Sequence, residues 1–202
     1  GVNRRGFFVS ALALAACERG ADAQTSPANL PTLRSVAPFP VGTCLQAVQL
    51  DDPAFAALVA AQVSQLTPEW EMKMEYIVQD DGSLRFEGPD KIAAFARSAG
   101  IRLFGHTLVW YAQSPPAFER LDVSRIAFDA AYRNYILAVA GRYRGQVSGW
   151  DVVNEAVAED GEGWRDSLWS RKLGALNHMV LAFQHAREAD PDAVLFLNDY
   201  NL

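Results

Sequence analysis

Residues 147–156 read Val147-Ser-Gly-Trp-Asp-Val-Val-Asn-Glu-Ala156. The run from Val147 to Val153 is short, apolar and β-branched, the pattern of a buried strand. It ends on a polar pair, Asn154 and Glu155. Upstream, 124–143 reads as a long amphipathic helix with Ser124 as N-cap. Before it, 101–110 is a strand and 89–98 a helix, with Pro89 at its start and Gly100 past its end. Asp80-Asp81-Gly82 marks a turn, 63–66 a strand running into Thr67-Pro68-Glu69, 53–63 an alanine-rich helix, and 41–46 a first strand. Downstream, 171–189 reads as one helix stopped at Asp190-Pro191, and 193–197 as a fifth strand. Alternating strands and helices predict a parallel sheet.

The polar residues fall at one end of that pattern. Glu69 and Lys73 follow the second strand, and His106 and Trp110 end the third. Asn154 and Glu155 end the fourth, and Asn198, Asp199 and Tyr200 follow the fifth. An α/β barrel keeps its active site at the carboxyl ends of its strands. A doubly wound sheet also binds there, but through a Gly-rich phosphate turn. No such turn occurs in the sequence, which disfavours a nucleotide enzyme.

Composition narrows the field. The chain has 202 residues, 50% hydrophobic and 21% charged, with a net charge of −6. Such a chain can bury a core, and it is neither disordered nor collagen-like. It has no long basic run, so nucleic acid is not expected as a partner. His178 and His185 lie seven apart on one expected helix without a third ligand, so no metal site is expected.

The amino-terminal residues read as an address. Arg4-Arg5 precede an apolar run from Phe7 to Ala16 that is too short to span a bilayer. This is the pattern of an export signal, with twin-arginine character. Residues 1–23 are therefore expected to be a signal peptide, with Ala21-Asp22-Ala23 as one exit. Leu14-Ala15-Ala16-Cys17 offers another, a lipoprotein box with a lipid anchor at Cys17. The destination is then the periplasm, the outer membrane or the exterior. Residues 24–40 hold four prolines and read as a linker or lead-in, leaving 41–202 as the folded domain. With Cys17 removed or lipidated, Cys44 has no partner, and no disulfide is expected in the mature domain.

Glu155 carries the chemistry. A carboxyl held against apolar walls resists ionisation, which suits a general acid that protonates a leaving oxygen. Alone, an Asn-Glu pair at a strand end is equally consistent with a cap or an ion pair. Likewise Trp110 alone reads as a core aromatic and His106 as a buried histidine.

Taken together the motifs are specific. Thr67-Pro-Glu-Trp-Glu-Met-Lys73, Gly105-His-Thr-Leu-Val-Trp110 with Gln113, Trp150-Asp-Val-Val-Asn-Glu-Ala156, Trp164-Arg-Asp-Ser167 and Asn198-Asp-Tyr-Asn201 follow one another across 41–202. In order and spacing they resemble glycoside hydrolase family 10, the endo-β-1,4-xylanases. The resemblance implies a TIM (β/α)8 barrel acting on xylan and xylo-oligosaccharides, with neither metal nor organic cofactor. It implies Glu155 as acid/base and Asn154 as partner of the substrate 2-hydroxyl. Glu69, Lys73, His106, Trp110 and Gln113 are implied glycone-side contacts, and Tyr200 an aromatic near the cleavage point. Asp151 is expected to support the fourth strand, and Trp164 and Trp169 to pack. Trp70 stands where the family usually has Asn, Phe104 where it often has Arg, and Phe118 near a common Trp.

A complete barrel needs about 250 residues, and five strands are read here. The resemblance places the nucleophilic glutamate on a seventh strand, so the expectation is an amino-terminal portion of a longer, monomeric enzyme, inactive by itself. Two rivals remain. One is a non-catalytic glycan-binding lipoprotein, and the other a related barrel hydrolase acting on cellulose or mannan.

Overall fold

The computed structural model describes residues 30–201. The expected signal peptide, both of its exits and the first part of the lead-in segment lie outside the described residues. Within the lead-in segment, α1 (Leu33–Val36) is one helical turn. It is held by Leu33 N donating to Gln62 Oε1 at 2.9 Å and by Arg34 donating to the carbonyl of Ala60 at 3.1 Å.

Five strands form one parallel sheet in chain order: β1 (Gly42–Leu45), β2 (Gln65–Pro68), β3 (Arg102–Trp110), β4 (Val147–Asn154) and β5 (Val194–Asn198). Between them run α2 (Pro53–Gln62), α3 (Met74–Ile77), α4 (Glu87–Ser98), α5 (Pro116–Glu119), α6 (Arg125–Arg142), α7 (Leu168–Leu173) and α8 (Asn177–Ala189). This succession is consistent with a partial (β/α)8 barrel. β4 is buried along nearly its whole length, as an apolar strand covered on both faces must be. Among the described residues β5 pairs with β4 alone, and its Val194, Phe196 and Leu197 are half exposed.

Local chemistry accounts for the helix ends. Asp52 caps α2, accepting from Ala54 N at 2.8 Å, with Pro53 as the first helical residue. Ser124 caps α6 through Ala127 N, as its position predicts. Pro89 does not open α4. The helix starts two residues earlier, at Glu87, so Pro89 occupies the third position of the first turn, where its missing N–H is still tolerated. The expected single helix over 171–189 is two helices. Gly174 takes φ +96 and ends α7, and Asn177 Nδ2 donates back to the Leu173 carbonyl at 3.0 Å. An unbroken apolar periodicity conceals this break, because glycine alone supplies the left-handed turn.

The layers are joined by a few specific contacts. Asp90 on α4 accepts two bonds from Arg142 and one from Tyr143 OH on the α6 side. The Arg142 guanidinium in turn holds the Asp90 carboxyl below its ordinary range, against the opposing effect of partial burial. Trp150 of β4 lies against Gly105 of β3, where an added Cβ would come within 2.1 Å of the indole. Only glycine permits that approach, which seats the large ring in the core.

Candidate active site

The site is assembled at the carboxyl ends of β2 to β5. Trp110, Asn154 and Asn198 stand in one register row across β3, β4 and β5. Asn198 Nδ2 donates to Asn154 Oδ1 at 2.8 Å, so the buried Asn154 amide is oriented by its neighbour. Glu155 follows directly. Its backbone lies in the left-handed region at φ +57, the only non-glycine there among the described residues. Such a conformation persists only where the surroundings over-determine it. Here Glu155 N donates to Asn198 O at 2.7 Å, and Arg165 Nε donates to Glu155 O at 3.0 Å. The half-buried carboxyl is then fixed by Trp110 Nε1, which donates to Oε2 at 2.7 Å.

The remaining candidates group around this pair. Lys73 Nζ lies 5.0 Å from the Trp110 ring centroid and 5.9 Å from that of Trp70, a cation between two indole faces. Glu69 is exposed just past β2, and its Oε2 accepts from Gln46 Nε2 at 3.3 Å. His106 lies four residues before Trp110 on β3, in register with Asp151 of β4, and its Nδ1 is 2.8 Å from Asp151 Oδ2. This contact fixes the orientation of the imidazole against the β4 carboxyl. Asp151 therefore does more than support the strand, since it sets the His106 ring. Gln113 is buried and accepts from Glu75 N at 3.1 Å, anchoring α3 with its carboxamide oxygen.

Tyr200 is joined to Glu155 through Arg165. The guanidinium is 4.1 Å from the Tyr111 ring centroid and donates to Tyr200 OH at 3.2 Å and to Glu159 at 3.0 Å. Tyr200 OH donates to the same Glu159 oxygen at 2.6 Å. The Tyr200 bond and then Arg165 lower the Glu159 carboxyl below its ordinary range. Asp199 is committed to the loop, accepting from Val157 N and Asn201 N.

Two tryptophans divide against expectation. Trp169 is buried as predicted, but its Nε1 also donates to Trp110 O at 3.0 Å, tying core to site. Trp164 does not pack. It is 47% exposed on the loop after β4, which pairs Val157 with Trp164 and turns on Gly161 and Gly163 at positive φ. Arg165 was legible only as part of a loop motif, because its aromatic partners lie 54 residues before and 35 after it.

His178, on the first turn of α8, is packed behind the site and 6% exposed. Burial pushes its pKa down from about 6.5 to about 4. Below pH 6.5 the unfolded chain binds a proton that the folded chain does not. Stability is therefore expected to fall as pH drops from 6.5 to 4, by up to about 3 kcal/mol. Urea titrations across that window should show a shallower slope for His178→Phe than for the parent. Equal slopes would refute the assignment.

Comparison with known proteins matches this geometry. The model of Glycosyl hydrolase family 10 matches residues 32–202. Endo-1,4-beta-xylanase A of Thermotoga maritima is 39% identical over 184 residues, covering 86% of this chain and 17% of that protein. An endo-1,4-beta-xylanase of Geobacillus stearothermophilus is 38% identical over 181 residues, covering 86% and 53%. Among solved structures, xylanase XynB from Paenibacillus barcinonensis, complexed with a conduramine derivative, superposes with a TM-score of 0.77 at 34% identity, covering 85% of this chain and 53% of that one. The chain spans about half the length, or less, of the relatives it matches. With the family match running through every described strand, the chain belongs to glycosyl hydrolase family 10.

Proposed function

We propose that the protein is an endo-1,4-β-xylanase, cleaving internal β-1,4-xylosidic bonds of xylan with retention. The observation that carries this reading is the Glu155 carboxyl at the end of β4, held at 2.7 Å by the Trp110 indole in a chain whose relatives bear that name. Glu155 gives its proton to the glycosidic oxygen as the bond from that oxygen to the anomeric carbon breaks. A second carboxylate, about 5 Å away in retaining enzymes, bonds to the same carbon. That nucleophile is assigned to a glutamate of the seventh strand of the barrel. Water then displaces it, with Glu155 taking the proton from the water. Asn154 addresses the 2-hydroxyl, and Tyr200 the sugar near the cleavage point. Trp110 offers a flat apolar face, and Glu69, Lys73, His106 and Gln113 direct hydrogen bonds to the glycone.

The test uses a chain that carries the complete barrel and compares reducing-sugar release from xylan, carboxymethyl-cellulose and mannan. Xylan is expected to exceed the others by at least about tenfold, the discrimination available from one substituent in a shaped site. Comparable rates on cellulose or mannan would overturn the substrate assignment. Xylo-oligosaccharide binding without release would favour the glycan-binding reading instead.

Export is part of the proposal. Arg4-Arg5 and the apolar run behind them support a leader over 1–23, with Cys17 as an alternative lipid anchor. No described helix is long and apolar enough to cross a membrane. Monomeric xylan hydrolysis is the proposed working state.

A further inference from the structure

The mechanism above leaves His178 without a task, yet it is built into the back of the site. With Tyr111, Asn154, Glu155, Ser167 and Trp169 it lines a cavity of about 10 Å³. That is room for one water molecule. His178 Nδ1 is buried and has no hydrogen-bond partner among the described residues. The rest of the residue is fixed from two sides. Its N–H donates to Gly174 O at 3.0 Å, and its carbonyl accepts from the fully buried Tyr132 hydroxyl at 3.0 Å. Buried ring nitrogens are almost always paired, with protein or with ordered water. Burial also keeps this imidazole neutral near neutral pH, so it offers a hydrogen bond rather than a charge.

We infer that His178 is a positioning residue for Glu155, acting through one water held in the cavity between α8 and the end of β4. The inference rests on the reading of Glu155 as acid/base. Glu155 holds a left-handed backbone, and its peptide is clamped by Asn198 and Arg165. Asn154, the last residue of β4, and Glu155 directly after it both line the cavity that His178 lines from α8. A water there, bonded to His178 Nδ1, completes the support and keeps the carboxyl aimed for proton delivery.

The experiment uses a chain that carries the complete barrel and two aryl β-xylobiosides, one with phenol and one with 2,4-dinitrophenol as leaving group. Phenol needs the proton from Glu155 and dinitrophenol does not. His178→Phe removes the ring nitrogen and keeps an aromatic volume. It is expected to lose about tenfold in kcat/KM on the phenyl substrate, the low end of general-acid effects, with little change on the dinitrophenyl one. The alkaline limb of its pH profile should move as well. His178→Asn, which keeps a nitrogen near the Nδ1 position, should restore the phenyl rate, and His178→Gln should not. A crystal structure should place a water about 3 Å from Nδ1. Equal losses on both substrates with an unmoved pH profile, or a dry cavity, would overturn the inference. If the Phe variant does not fold, the Asn and Gln variants decide the matter, and equal behaviour of those two overturns it. An inactive parent would overturn the acid/base reading and this inference together. An active parent with leaving-group-independent variants would overturn this inference alone.

Discussion

In a chain that carries the complete barrel, Glu155→Gln is expected to lower the rate of xylan hydrolysis by at least about a hundredfold, the general-acid contribution, while leaving the fold intact. Gln keeps a side-chain oxygen that accepts from Trp110 Nε1, so the 2.7 Å contact at the end of β4 survives. It also keeps the backbone bonds to Asn198 O and from Arg165 Nε that hold the left-handed turn. Only the exchangeable proton is lost. Xylan has a poor leaving group and needs that proton, and the second step needs the same carboxylate as base. A dinitrophenyl xylobioside should therefore show a burst of phenol release followed by slow turnover. Xylan turnover near the parent rate, with the variant's melting temperature unchanged, would rule out Glu155 as the acid.

The second large effect is structural. Trp169→Ala is expected to destabilise the protein by about 3–5 kcal/mol, the range for truncating a buried large aromatic. Trp169 is 1% exposed and packs against Phe118, Phe128 and Tyr132, with ring centroids 5.1, 5.9 and 5.6 Å away. Truncation leaves a cavity among these rings. It also removes the donor to Trp110 O, so the loss should reach the site as well as the core. Trp169→Phe fills most of the space but still lacks the N–H, and it should cost less in stability while still weakening hydrolysis. Urea denaturation followed by near-ultraviolet circular dichroism measures the first effect. A loss under about 1 kcal/mol would show that the α5–α7 aromatic cluster is not a main support.

The two effects share a cause in the geometry of Trp110. Its ring nitrogen holds the Glu155 carboxyl, its carbonyl is held by Trp169, and its ring lies beside Lys73. Core packing and the orientation of the Glu155 carboxyl thus meet in one residue. A change at Trp110 is therefore harder to interpret than one at Glu155 or Trp169.

Much of this was legible in the residues alone. Apolar runs of strand length, a helix with its cap at Ser124, and polar residues gathered at strand ends are local patterns. Periodicity and capping chemistry report them directly, and they led to five parallel strands with the candidate residues at one end of the sheet. Other features were invisible because they join residues far apart in the chain. The His106–Asp151 and Trp110–Glu155 contacts each link residues 45 apart, and no local pattern encodes which partner a side chain will meet. The break at Gly174 and the positive φ at Glu155 are backbone states that tertiary contacts stabilise. His178 shows the same limit, since its helical position is local but the cavity it shares with Glu155 exists only once α8 packs behind β4. Local sequence thus determined the elements and the end of the sheet where chemistry belongs. Folding decided the aim of each side chain, because aim depends on partners that only packing brings together.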